Sequence, residues 1–342
     1  MEKKVSLDNG IVDIAAALGV SAATVSRALN DHPRISDATK KRVKLKAKEM
    51  GYRPNMMASS LRSKKSNVVG LIVPQISMYF HAVFITALQN RLQNAGYQVI
   101  ISQSNDSVST EKALANTLYS SRVDALVVSL SLYTEEYSHF DGFINKGVPV
   151  LFFDRVPIVP YPGYTFKGDD YRGGYLAGNH LCEIGCKRIA YISGPLTSNI
   201  YIDRTNGFKF ALNQQGLQLH DDCVFYQELS AANAREALKK LFAGQLKPDA
   251  IFACNDTTAV EVVEFARENG INIPGDLKVI GYSNDPRASI ITPGITTIEQ
   301  FPEQMAEKVS DRIREHLREP KEGPADFSPT VIPVSLIRRM ST

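Results

Sequence analysis

The chain of 342 residues has no apolar run approaching the roughly 18 residues a membrane-spanning helix needs. Its first residues also lack the charged-then-apolar stretch with a small-residue cleavage site that marks a secretory signal. Neither a membrane partner nor export is expected, and the cytoplasm is the expected location. Cysteine is scarce: Cys182, Cys186, Cys223 and Cys254 lie far from any two-pair ligand spacing. The close pair, Cys182 and Cys186, falls on one face of a predicted helix, where packing accounts for it better than a metal. Signatures of catalysis are missing too. There is no G-x-G-x-x-G after a strand, no Walker lysine, no G-x-S-x-G elbow and no His-Glu-x-x-His pair. The glycines of "GDDYRGGYLAG" (168–178) sit where a helix begins and continues. Asp169 and Asp170 read as cap and dipole residues at that start, not as paired carboxylates. An enzyme is therefore not expected, and no cofactor or metal either.

What is present is 44% hydrophobic residues, enough for one small domain and a larger two-lobed body. The net charge of +3 hides an asymmetry. Residues 1–65 carry 14 Lys+Arg against 6 Asp+Glu, leaving 25 against 30 for residues 66–342. A basic head on a mildly acidic body is the footprint of a nucleic-acid-binding module joined to a domain that binds something else.

Within the head, Ile11, Ile14, Ala15 and Leu18 form the stripe of a short helix with Asn9 or Gly10 as its cap, ending at Gly19. Ser21 caps a second helix whose Val25, Ala28 and Leu29 turn inward, leaving Ala22, Ala23, Ser26 and Arg27 outside. Two short helices across a Gly-Val-Ser turn make a helix-turn-helix. Pro33 closes the unit. Ser36 caps a third helix with Val43, Ala47 and Met50 buried and Lys40, Lys41, Arg42, Lys44, Lys46 and Lys48 on its other face. Asn55–Arg62, after Pro54, is too short to be a stable helix without a partner.

"VDIAAALGVSAATVSRALN", "ISDATKKRV", "EMGYRPN" and "ASSLRS", in that order, resemble the headpiece and hinge of the LacI/GalR family of bacterial transcription repressors. The resemblance implies a hinge that becomes helical only on operator DNA, paired with its copy from a dimer in the minor groove. Leu61 is then the wedge into the central base step, with Ala58 one turn earlier small enough to let the two hinge helices approach. Ala22 and Ala23, at the start of the recognition helix, can meet thymine methyls, and Arg27 can reach guanine O6 and N7. The two alanines are also simply good helix formers. Thr24, Ser26 and Asn30 suit phosphates, and Asn55 joins the DNA-facing set in the hinge.

From Val68, short apolar runs alternate with helical stretches: "VVGLIVP", "YQVIISQS", "VDALVVSLS" and "VPVLFFD", then "RIAYISGP", "CVFYQEL", "DAIFACND" and "LKVIGYS". This predicts two lobes of parallel strands with crossover helices. The order resembles the periplasmic-binding-protein-like (type I) effector domain of the same family. The expected fold is thus a small all-α helix-turn-helix domain plus an α/β two-lobed periplasmic-binding-protein-like domain. Its divisions are 1–53 (headpiece), 54–66 (hinge) and 67–342 (effector binding and dimerisation). The N-lobe covers about 67–164 plus 300–328, and the C-lobe about 165–299 plus 329–342.

Ligands of open α/β sheets bind beyond the carboxyl ends of strands. That rule selects Gln75 to Phe80, Asp154 with Arg155, Ser198, Asn255 with Asp256, and Ser283 with Asn284. Arg204 matches the ligand-binding arginine of the family. A sugar needs fork-like donors and acceptors, here Arg204, Asn255 and Asp154, and an aromatic plate, here Tyr79, Phe80 and Phe166. Many sugar- and purine-binding relatives have an aspartate where this chain has Ser283 after Gly281 and Tyr282. A hydroxyl cannot act as a charged bidentate acceptor, so Asn284 or Asp285 is left to substitute, or the effector differs in kind.

The chain ends at "VIPVSLIRRMST" without a heptad-repeat tail, so a homodimer on a palindromic operator is expected, not the tetramer of the lactose repressor. The expected function is a sequence-specific transcription regulator, a repressor, controlled by a sugar or related small-molecule effector. The alternative is a binding protein of transport or chemotaxis that reads no DNA.

Overall fold

A computed structural model describes residues 10–52, 65–244, 247–318 and 326–342. Asn55, Ala58 and Leu61 lie outside them. The chain divides into two compact units between Ser66 and Asn67, and among the described residues no single helix is long and apolar enough to cross a membrane.

The first unit is three helices, α1 (Ile11–Leu18), α2 (Ala22–Leu29) and α3 (Asp37–Glu49). Gly19 stops α1 in the left-handed region (φ 63°), where a side chain would be strained. Ser21 and Ser36 open the next two helices, their hydroxyls accepting from the Thr24 and Thr39 amides. Ile14, Ala15, Val25, Ala28, Val43 and Ala47 form the core. Met50 is only partly buried, because it is the C-cap of α3 and not part of its last turn.

In the second unit a six-stranded sheet runs β2 (Gln98–Gln103), β1 (Val68–Val73), β3 (Ala125–Val128), β4 (Val150–Phe153), β5 (Tyr164–Gly168) and β11 (Thr330–Ile332). All its pairs are parallel, with Val69 opposite both Val99 and Ala125. A four-stranded parallel sheet runs β7 (Val224–Tyr226), β6 (Ile189–Ser193), β8 (Ala250–Ala253) and β9 (Lys278–Ile280). The inner strands β3, β4, β6 and β8 are buried end to end, as expected where helices cover both faces. β10 (Thr297–Glu299) and β12 (Ser335–Ile337) form an antiparallel ribbon, which extends the second lobe through an Ile280–Thr296 bridge.

Helices α4 (Tyr79–Asn94) and α12 (Pro302–Arg318) bury Phe84, Leu88, Met305 and Val309 against one face of the first sheet. Helix α5 (Val108–Ser120), Phe140 and the short α6 (Asp141–Asn145), which carries Phe143, cover the other. The chain passes between lobes a few residues later than about 165 and 329: Tyr164–Gly168 and Thr330–Ile332 pair with each other inside the first-lobe sheet, so both strands belong there. In the second lobe, α7 (Asp170–Glu183) lies tightly against α8 (Asn199–Gln214), with α9 (Ala231–Ala243), α10 (Asp256–Glu268) and the short α11 (Pro286–Ile290) across the sheet. A Cβ on Gly174 would overlap the Arg204 carbonyl, and one on Gly207 the Tyr171 carbonyl. Part of the glycine cluster in 168–178 is therefore a helix–helix contact surface.

Candidate ligand cleft and DNA-reading helix

In the first unit α2 leaves Ala22, Ala23, Arg27 and Asn30 exposed, and Thr24 and Ser26 half-buried. Asn30 is the C-cap of that helix and its side-chain amide donates to the Ser26 carbonyl (2.8 Å), while the Thr24 hydroxyl lies 2.9 Å from that of Ser21. The small exposed side chains lie at the N-terminal end of α2 and the guanidinium of Arg27 in its last turn. Lys44 of α3 is tied to Asp31 at 2.6 Å, which holds the Asp31 carboxyl below the usual carboxylate range.

Beyond the carboxyl ends of both sheets lies a cleft of about 780 Å³. Of the ten residues expected to bind effector, Gln75, Tyr79, Phe80, Asn255 and Ser283 line it. Tyr79 and Phe80 arrive because α4 starts there, directly after β1. Burial, helped by Glu299, Glu303 and Asp285, pushes the Tyr79 phenol above its ordinary value. Asn255 is the N-cap of α10, its carbonyl oxygen accepting from the Thr258 amide (2.8 Å) and its amide donating to the Leu229 carbonyl (3.1 Å). Ser283 donates to Gln300 at 2.8 Å.

The other five stand elsewhere. Phe166 is a first-lobe core residue, packed with Phe153 and Ile332, because it alternates inward on β5; it is not an aromatic plate at the cleft. Ser198 is the N-cap of α8, buried and not part of the cleft wall. Asn284 is turned away in a left-handed conformation, donating to Glu299 (2.6 Å) and accepting from Arg339 (2.6 Å). Asp154 lies below the surface, 3.5 Å from His81 Nε2, with its carbonyl accepting from Asn199. Arg204 is buried: its Nε donates to Asp170 (2.8 Å), a terminal nitrogen donates to the Cys254 carbonyl (2.8 Å), and its guanidinium lies 3.6 Å over the Tyr282 ring.

Asp169 caps α7 as expected, but Asp170 does more, holding Arg204 and accepting from the Tyr282 hydroxyl (3.0 Å). Burial acts against both charges of this pair. Asp170 and the neighbouring rings outweigh it at Arg204, which stays cationic, whereas the Asp170 carboxyl is pushed up to about 6.

The two arginines at the cleft wall are each paired with a carboxylate. Arg155, next to Asp154 in sequence, pairs with Asp106. Arg287 pairs with Asp285 at 2.7 Å. Burial pushes the Asp285 carboxyl up, and the hydrogen bonds and charge of Arg287 more than reverse this. Asp256, also at the wall, accepts from the Thr297 hydroxyl and the Asp285 amide (both 2.7 Å); burial still raises it to about 6. Of the two substitutes for the missing aspartate, Asp285 is the one in the cleft. Asp106, Tyr201 and Glu228 are wall residues that the strand-end reading passed over. Asp106 and Glu228 follow β2 and β7 by three and two positions, so the same rule applied to every strand would have reached them. Tyr201 gives no such signal, since it comes from the first turn of α8.

A second, more apolar groove of about 930 Å³ runs along Val156–Pro162 and Phe327. Its wall draws on the chain after one strand, β4, whereas the smaller cleft gathers residues that follow β1, β2, β7, β8 and β9 and is the better ligand site.

The family profile described as "Bacterial regulatory proteins, lacI family" matches residues 10–55, and "Periplasmic binding protein-like domain" matches residues 179–342. Catabolite control protein A of Priestia megaterium is 32% identical over 292 residues, 85% of this chain and 87% of the relative. The HTH-type transcriptional regulator DegA of Bacillus subtilis (strain 168) is 31% identical over 85% of this chain and 86% of its own. Among solved structures, the transcriptional regulator CelR–cellobiose complex superimposes with a TM-score of 0.73 at 26% identity, covering 98% of this chain and 100% of that one. The lac repressor dimer bound to operator and the anti-inducer ONPF gives 0.85 at 24% identity, covering 98% and 99%, and shows likeness of fold.

Proposed function

The chain belongs to the LacI family of bacterial regulatory proteins, and from that premise we propose that it is a sequence-specific DNA-binding transcription repressor controlled by a small-molecule effector. One observation carries the reading: a helix-turn-helix unit with a small-residue reading face shares the chain with a two-lobed domain whose cleft lies at its strand ends. A transport or chemotaxis protein needs the second part and has no use for the first.

The DNA-facing set is Ala22, Ala23, Arg27 and their phosphate-binding neighbours, with Leu61 in the hinge as the wedge. Two headpieces from a homodimer require a palindromic operator. The cleft binds its effector without turning it over. Its two arginines are each closed by a carboxylate, so among the described residues an incoming phosphate or carboxylate meets no unpaired cation there. Glu228, Asn255 and Gln75 instead offer acceptors and donors for hydroxyl groups, which supports an uncharged sugar. The relative solved with cellobiose is consistent with that chemistry.

Selection of bound duplexes from a random pool, followed by titration of neutral and phosphorylated sugars against the selected duplex, tests the proposal. A palindrome with a central pyrimidine–purine step, and a neutral sugar that shifts its affinity, are the expected results. Failure to enrich any sequence at low salt would return the chain to the binding-protein reading.

A further inference from the structure

Residues 131–134, just after β3, belong to the first lobe by chain order but are bound to the second. Leu132 is only 5% exposed and is part of the second-lobe core with Ile200 and Tyr201. Its carbonyl accepts from the Thr197 hydroxyl at 2.7 Å, and the Tyr133 hydroxyl donates to Glu228 at 3.2 Å. Both donor–acceptor pairs cross from lobe to lobe.

On the first-lobe side Ser131, Leu132 and Thr134 are held by two carboxylates, Glu111, which the ligand reading leaves unused, and Asp106 of the cleft wall. Glu111, fully buried, accepts from the Ser131 amide (2.6 Å) and the Thr134 hydroxyl (3.0 Å), with His139 Nε2 at 3.0 Å. Burying a carboxylate is costly unless it is well bonded, and here its bonds fix one short loop. Asp106 accepts from the Leu132 amide (3.1 Å), and the same oxygen receives Arg155 at the cleft wall.

We propose that residues 131–134 are a cross-lobe latch, with Leu132 as its apolar bolt, and that Asp106 is a positioning residue linking the latch to the cleft. A ligand hydroxyl that draws Arg155 from Asp106 changes the charge facing the Leu132 amide, and so changes how firmly the loop presents Leu132 and Tyr133 to the other lobe. A ligand need not span both lobes to bias their closure; it needs only to compete at Arg155. This coupling rests on the cleft being the effector site, whereas the latch itself does not.

Hydrogen exchange on the full-length chain without added ligand tests it. Tyr133→Phe combined with Thr197→Val removes the two cross-lobe hydrogen bonds of the latch and keeps the side-chain shapes. Exchange should rise about tenfold on both sides of the cleft, in 129–134 and in 226–231, with the β1 and β6 amides unchanged. Unchanged exchange in 226–231 overturns the latch. Asp106→Asn should produce the same rise in 226–231, a segment with no hydrogen bond to Asp106; a rise confined to 129–134 overturns the link through Asp106. No ligand enters the test, so its failure leaves the effector site standing, and failure of the sugar titration leaves the latch standing.

Discussion

Arg204 binds inward before it can bind anything else. With Asp170, the Cys254 carbonyl and the Tyr282 ring around it, its guanidinium ties α8 to α7 and to the loops after β8 and β9. Arg204→Ala strands the Asp170 charge in the interior and should cost about 3–5 kcal/mol of stability, read by urea unfolding, whatever it does to effector binding. Asp256 gives a pH signature. Its folded value of about 6 lies above the ordinary 3.8, so the folded state holds that proton more tightly. The associated stability is fully present below the unfolded value and is lost as pH rises through about 6. Stability should therefore fall by on the order of 2 kcal/mol from this group between pH 4 and 7, and Asp256→Asn should flatten that slope in thermal melts. On the reading helix, Arg27→Ala should weaken operator binding by about 1–3 kcal/mol in a gel-shift titration. Residue positions at the cleft were half legible. Strand-end position found Gln75, Asn255 and Ser283, because β1, β8 and β9 end where their apolar runs end. It misplaced Asn284, and the search for an aromatic plate misplaced Phe166, since where these side chains point depends on a left-handed turn and on strand alternation that composition does not show.

At the level of elements, the three headpiece helices were readable from caps and stripes because each is set by local chemistry: Gly19 stops α1, Ser21 starts α2 and Ser36 starts α3. Ser21→Ala should remove about 1 kcal/mol from headpiece stability, measurable by thermal melting. The pairing of β5 with β11 was not readable, because these strands are more than 160 residues apart in the chain and only the fold brings Phe166 opposite Thr330. The packing of α7 on α8 was equally hidden. Glycine clusters have many uses, and only the position of the Arg204 backbone shows that Gly174 is there for close approach. Gly174→Ala should cost about 1–3 kcal/mol through overpacking, read as a lower urea midpoint with an unchanged slope.

For the whole molecule, a basic DNA reader and a ligand cleft make sense together only if each changes the other's affinity, and linkage requires the effect to be reciprocal. Leu61→Ala should weaken operator binding and leave effector affinity as it was; an equal loss of both would remove Leu61 from the wedge role. The direct test of the regulator reading is operator affinity of the full-length protein, measured at fixed salt with and without a saturating sugar already known to bind the cleft. A change of about fivefold or more, matched by an equal change in sugar affinity when operator is present, is the expected result. Identical operator affinity with the cleft filled and empty would contradict it.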